Sequence, residues 1–154
     1  MTTIEIPKKP IDEARRRGID IEALIIDALI NQLKLGPADE GETRVEMAIN
    51  YLSETKQYIE RDDAVQASEK LYKAAEEAIK AMAIALRIPE ANEAMTKGGW
   101  TLRLLDSAAN KLASIVNARV YDDWDHTYFL NVEGFHEARL DTEEVLRRLP
   151  YIEE

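Results

Sequence analysis

The stretch that decides the fold is Ala64-Val65-Gln66-Ala67-Ser68-Glu69-Lys70-Leu71-Tyr72-Lys73-Ala74-Ala75-Glu76-Glu77-Ala78-Ile79-Lys80-Ala81-Met82-Ala83-Ile84-Ala85-Leu86. Ala64, Ala67, Leu71, Ala75, Ala78, Met82 and Leu86 recur every three or four residues, while Glu69, Lys73, Glu76 and Lys80 fall on the water-facing side. That is the period of an amphipathic helix. Asp62 or Asp63 can cap its start, and Pro89 ends it. Small side chains along the seam let a neighbouring helix approach closely.

Working upstream, residues 39–60 predict a second long helix with Val45, Ala48, Ile49, Leu52 and Ile59 on one face and Glu46, Glu54 and Glu60 opposite. Before it, a helical segment opens after Pro10, pauses near Gly18 and resumes behind Asp20, a cap for a helix from Ile21 to about Leu33. In that helix Leu24, Ile25, Ile26, Ala28, Leu29, Ile30 and Leu33 leave only a narrow polar stripe of Asp27, Asn31 and Lys34. A helix apolar around most of its circumference must be covered on several sides, by the rest of the domain or by a second subunit. Gly36-Pro37 ends it, and a polar loop through Gly41 follows.

Downstream, a polar loop runs to Gly98-Gly99, and a fourth helix is expected from about Trp100 to Val120. Its Leu105, Ala108, Leu112, Ile115 and Val116 share one arc, with Arg119 projecting to the centre of that arc. The aspartates of Tyr121-Asp122-Asp123-Trp124-Asp125 can cap a fifth helix, about 126–139, that carries Tyr128, Phe129, Val132 and Phe135 inward. A short terminal helix, about 142–149, closes the chain.

Composition agrees with this pattern. Ala, Glu, Lys, Leu and Arg supply 74 of 154 residues and Gly plus Pro only 11, a balance expected of long helices. The fold class is therefore all-α: an up-and-down bundle of four or five helices in one domain, 1–154, with an N-terminal helical arm over 1–35 and a core over 39–149. Without cysteine there is no disulfide framework, thiolate metal site or thiol nucleophile. No apolar run reaches the roughly 20 residues that cross a bilayer, and Met1 to Lys9 lacks the apolar core of a signal peptide, so a cytoplasmic protein without membrane contact is expected.

The net charge is −10, of which residues 121–154, with ten acids and three bases, hold −7. Nonspecific nucleic-acid binding rests on Lys and Arg neutralising phosphates, so such binding to DNA is not expected. Arg15, Arg16 and Arg17 are flanked by Asp12, Glu13 and Asp20 and read as a solvated helix face.

Candidate chemistry gathers after Arg119. Five of the ten aromatic residues (Tyr121, Trp124, Tyr128, Phe129, Phe135) and both histidines lie between 121 and 136. Arg119 and His126 have six residues between them, and an Arg with a His suits metal-independent RNA cleavage: imidazole as base toward a 2′-hydroxyl, guanidinium on the developing phosphorane charge. The plainer alternative pairs Arg119 with a nearby acid. Glu133 and His136, three apart, form one Glu-x-x-His unit of the kind that binds metal in helix bundles, although a di-metal site needs two; the alternative is a hydrogen-bonded core histidine beside Phe129, Val132 and Leu140. Gly134 in mid-helix costs about 1 kcal/mol relative to Ala and suggests close packing. Trp100, Trp124, Tyr128 and His136 are the candidate ligand contacts; for Trp100 a core anchor is the preferred reading and a ligand platform the alternative. No phosphate-binding glycine loop and no strand-to-helix serine elbow is present, and no cofactor is expected.

Three stretches, Gln66 to Ala81, Gly98-Gly99-Trp100, and Leu130-Asn131-Val132-Glu133-Gly134-Phe135-His136-Glu137, resemble the archaeal PaREP family over roughly residues 40–149. That family is similar to the HEPN helical bundles, whose name refers to nucleotide binding. The resemblance implies an up-and-down bundle from a thermophilic archaeon that pairs through its helices. Catalytic HEPN members carry an Arg and a His with four to six residues between them and a polar residue after the Arg; here these are Arg119 and His126, and Val120 stands at the polar position. The preferred reading is a homodimeric interaction module, or one associated with nucleotide or RNA, without strong catalysis. It would pair through its apolar N-terminal helix or the Ala-rich seam. The alternatives are an endoribonuclease using Arg119 and His126, and a metal-binding bundle using Glu133 and His136.

Overall fold

The computed structural model describes residues 1–154 and contains helices only: α1 Lys8–Arg16, α2 Ile21–Leu33, α3 Pro37–Glu60, α4 Ala64–Ala85, α5 Pro89–Lys97, α6 Leu102–Ile115, α7 Arg119–Phe129 and α8 Thr142–Glu153. A π-helical stretch, Leu130–His136, prolongs α7. The all-α bundle is as expected. Asp20 and Asp63 do cap, their Oδ1 atoms accepting from the backbone N–H of Ala23 and Gln66 at 3.2 and 3.0 Å.

The α3–α4 hairpin turns over three residues, with Asp62 in the left-handed region at φ 58°, and makes the most extensive helix pairing of the molecule. Helix α4 also touches α5, α6, α7, the π stretch and α8. Half of its 22 residues are buried, so it is the central rod rather than a two-faced surface helix. Ala75, Ile79 and Ala83 meet Leu105, Ala108, Leu112 and Trp124 on one side. Ala67 and Leu71 meet Leu130, Val145 and Leu149 on another. Ala74 meets Met47 and Tyr51 of α3.

Several expectations are corrected by the tertiary contacts. Lys80 is buried against Glu76 and Glu77, and Leu86 is exposed, because α4 has neighbours on more than one face. In α3 the buried line is Arg44, Met47, Ala48, Tyr51 and Thr55; Val45 and Ile49 face outward. Helix α3 begins at Pro37 and runs through Gly41, and α5 begins at Pro89; both prolines occupy the first turn, where a missing N–H costs nothing, so neither is followed by the expected loop. The single helix expected over 100–120 is two. It breaks at Val116 to Ala118, where the Asn117 Oδ1 accepts the N–H of Arg119 at 2.9 Å and starts α7. The helix expected over 126–139 is the end of α7 and the π stretch, whose wider turn shifts the phase. Trp124, Thr127, Leu130 and Gly134 point inward, and Tyr128 and Phe129 outward. Phe129 lies beneath the Arg148 guanidinium, 4.5 Å from its ring centre.

The arm, α1 and α2, buries only Ile30. It is tied to the core by polar contacts: Asp27 to Arg44, Glu22 to the Tyr51 hydroxyl, and Asp20 to Lys73. Thus the α4 side chains expected in water, Glu69 and Lys73, lie beneath the arm. Burial acts to raise the Asp20 pKa, but the hydrogen bond and charge of Lys73 outweigh it, and the carboxyl titrates below its ordinary 3.8. A lowered carboxylate pKa stabilises the folded state above the unfolded value and loses that contribution as pH falls through the folded value. Below pH 3.8 the arm should therefore loosen first. In NMR titrations, α2 amide signals of the parent will shift at acid pH before those of α4, and in Asp20→Asn that early step will be absent; simultaneous movement in the parent would refute the assignment.

Candidate functional site

Arg119 occupies the first position of α7, and neither the apolar arc of α6 nor the core receives it. Its guanidinium is exposed and clasps the Glu154 carboxylate through both terminal nitrogens, at 3.2 and 2.7 Å. Arg119, Asp123 and His126 share one face of α7. Seven positions at 1.5 Å each put Arg119 and His126 about 10 Å apart along the axis. The end of α8 lies along that face: the Tyr151 ring stacks on His126 with centroids 4.6 Å apart. Burial pushes the Asp123 carboxyl above its ordinary range, and the Glu154 and Asp122 charges reinforce the effect while Arg119 and His126 oppose it. The corner is thus an Arg–Glu clasp and a stacked imidazole amid carboxylates. Any phosphate reaching Arg119 would have to displace Glu154.

Beside this corner lies an apolar groove of about 510 Å³, floored by Ala78 and Met82 of α4 and walled by Val45 and Ile49 of α3 and Val120 and Ile152 of α7 and α8. Arg119 and Glu154 stand at its edge.

The other candidate residues are dispersed. Trp124 is 3% exposed and packs on Tyr72 at 5.7 Å, so it is core. Tyr128 is outward-facing. Trp100 is half-buried at a different cavity, between α2 and α5. His136 is exposed beside Phe135 and does not join the core with Val132 and Leu140, because the π turn rotates it away. Glu133 pairs with Arg139 at 3.2 Å, and no three His, Cys, Asp or Glu side chains are grouped as a metal site would need.

The most heavily buried charges were not singled out by the sequence. Arg44, at 3% exposure, extends Nη1 to Glu77 at 3.1 Å and Nη2 to Asp27 at 2.8 Å and Glu40 at 3.3 Å. Lys80 Nζ lies 3.0 Å from the same Glu77 and 3.2 Å from Glu76. Desolvation opposes the charge on Arg44 and Lys80, but the surrounding carboxylates win and raise both pKa values. The available signal was Arg44 falling in register with Met47, Ala48 and Tyr51.

A helical bundle wrapped round one alanine-rich rod, with an arm laid across it by ion pairs, is the class of protein these features define. Residues 43–154 match the archaeal PaREP1/PaREP8 family, and the chain belongs to that family. A crystal structure of a Sulfolobus solfataricus protein is similar at 36% identity and a TM-score of 0.65, covering 70% of this chain and 88% of that one. A solution structure of the Orf c02003 protein is similar at 36% identity and a TM-score of 0.62, over 70% of this chain and 83% of that one. No curated protein is significantly similar. The family is the one that the stretches around Gln66–Ala81 and Leu130–Glu137 resemble.

Proposed function

We propose that this PaREP protein is a HEPN-like interaction module that works as a homodimer, two copies meeting through the outer face of α2. One observation carries the reading: α2 is apolar on two sides, and its own chain covers one. Ile26 packs toward Met47 and Tyr51 and Ile30 is buried, whereas Leu24, Leu29 and Leu33 remain 57, 48 and 65% exposed. Leu29 and Leu33, one turn apart, share an edge of α2 while Leu24 stands on the other side of the helix, and a twofold contact along the Leu29–Leu33 edge would remove those two side chains from water. The Ala-rich seam is less suited to that role, since Ala67, Ala74, Ala75 and Ala83 are consumed inside the bundle.

Light scattering after size exclusion should give twice the chain mass of 17.5 kDa. Leu29→Glu with Leu33→Glu should give the single-chain mass with an unchanged helical circular dichroism spectrum. A monomeric parent at 100 μM overturns the proposal, and so does a dimer that survives both substitutions.

The ribonuclease reading has weaker support, because Glu154 neutralises Arg119 and three aspartates precede His126 within four residues. Its test is RNA cleavage in the presence of EDTA by the parent but not by Arg119→Ala with His126→Ala.

A further inference from the structure

A cavity of about 530 Å³, the size of those that take small organic molecules, lies where the arm meets the core. Helix α2, the start of α3, the end of α4, α5 and the Gly98–Trp100 turn line it, and it opens to solvent. We infer that this cavity binds a small organic carboxylate with an apolar or aromatic body, its acid group facing Arg87 and Arg44.

Unmet hydrogen-bonding demand selects the charge. Arg44, on the cavity wall, has both terminal nitrogens engaged by Glu77, Asp27 and Glu40, but its Nε has no partner. A buried donor without an acceptor costs about 1–3 kcal/mol and calls for an explanation. Arg87 is exposed on the same wall with no carboxylate in ion-pair reach, held at the end of α4 with φ 53°. Helix α5 starts at this wall behind Ile88 with Glu90 already in its first turn, and Pro89, Ala91 and Asn92 line the space. Both arginines thus offer a donor that no protein acceptor takes. The two wall carboxylates, Asp27 and Glu40, are already bound to Arg44 Nη2. A cationic ligand would have to take one of them and leave the buried guanidinium less neutralised.

The body of the ligand follows from the remaining walls. Ile30, Leu35, Ile88, Met95 and the half-buried Trp100 present an apolar surface that a bare inorganic anion would not use. Six of the lining residues, Asp27, Ile30, Asn31, Leu35, Pro37 and Glu40, precede residue 43, where the family match begins, and the first four belong to the arm, so the site exists because the arm closes on the core. It uses the inner side of α2 and does not depend on the outer, self-associating face.

Isothermal titration of the full-length protein with 4-phenylbutyrate, 4-phenylbutylamine, 4-phenylbutanol and sulfate separates the possibilities. The carboxylate should bind one per chain with Kd below about 1 mM, and the amine, alcohol and sulfate at least tenfold more weakly. Arg87→Gln, at an exposed position and checked for an unchanged thermal melt, should weaken phenylbutyrate at least tenfold. Amine or alcohol binding as tight as the acid overturns the charge assignment, equal sulfate binding overturns the apolar body, and absence of binding or an unaffected Arg87→Gln overturns the site.

Discussion

Replacing Arg44 by Met should lower the unfolding free energy by about 3 kcal/mol, within the range for removing one partner of a buried ion pair. The guanidinium is shared by Glu77, Asp27 and Glu40, and Glu77 is as deeply buried as Arg44 itself. In the variant, Glu77 keeps only Lys80 at 3.0 Å, and Asp27 loses the contact that ties α2 to α3. Two effects follow from one substitution: a less stable core and a detached arm. Adding Glu77→Gln to Arg44→Met should restore more than half of the loss, because the underpaired buried charge is then gone. Guanidinium denaturation followed by circular dichroism measures both. A loss under 1 kcal/mol in the single variant, or no recovery in the double, would mean that the cluster is not what joins arm to core.

Gly134→Ala should be nearly as costly, about 3 kcal/mol and hence a fall in Tm of roughly 6–12 °C for a domain of this size. A Cβ on residue 134 would stand 2.6 Å from the Ser68 Cβ, closer than side chains tolerate, and 3.3 Å from Leu140 Cδ1, a tight contact. Both sides of the contact are confined. Ser68 is fully buried on the central helix, and Gly134 lies within the π stretch that rests against it. An alanine has ordinarily the better helix propensity, so the sign of the result isolates packing from propensity. Combining Gly134→Ala with Ser68→Gly removes the opposing Cβ and should regain part of the lost Tm; a variant melting at the parental temperature would show that the π stretch yields easily.

These two contacts mark where a reading of the sequence stops. Gly134 was legible as a close approach, since a glycine in mid-helix is costly without a reason, but its partner Ser68 lies 66 residues away on a different helix. Asp20 and Asp63 were legible as caps because a cap acts within three residues. The break at Asn117 was hidden for a related reason: the apolar residues before and after it are compatible with one continuous period, and only the capping amide signals a restart. Arg119 accordingly looked like a charge among apolar neighbours, whereas it opens a new helix at the surface and meets Glu154, 35 positions later. His136 looked like core because its alignment assumed 3.6 residues per turn through a stretch that winds more widely.

What the sequence determined by itself is the local part: helices only, where most of them begin, the amphipathic character of the alanine-rich rod, and the family to which the chain belongs. Periodicity and caps are short-range, so they are written in neighbouring residues. Only the tertiary structure decided which faces are buried, that Arg44, Glu77 and Lys80 share the interior, that α2 keeps a bare apolar side, and that a cavity opens between arm and core. Burial and charge pairing are set by residues brought together from distant parts of the chain, and no period along one helix records what will cover it.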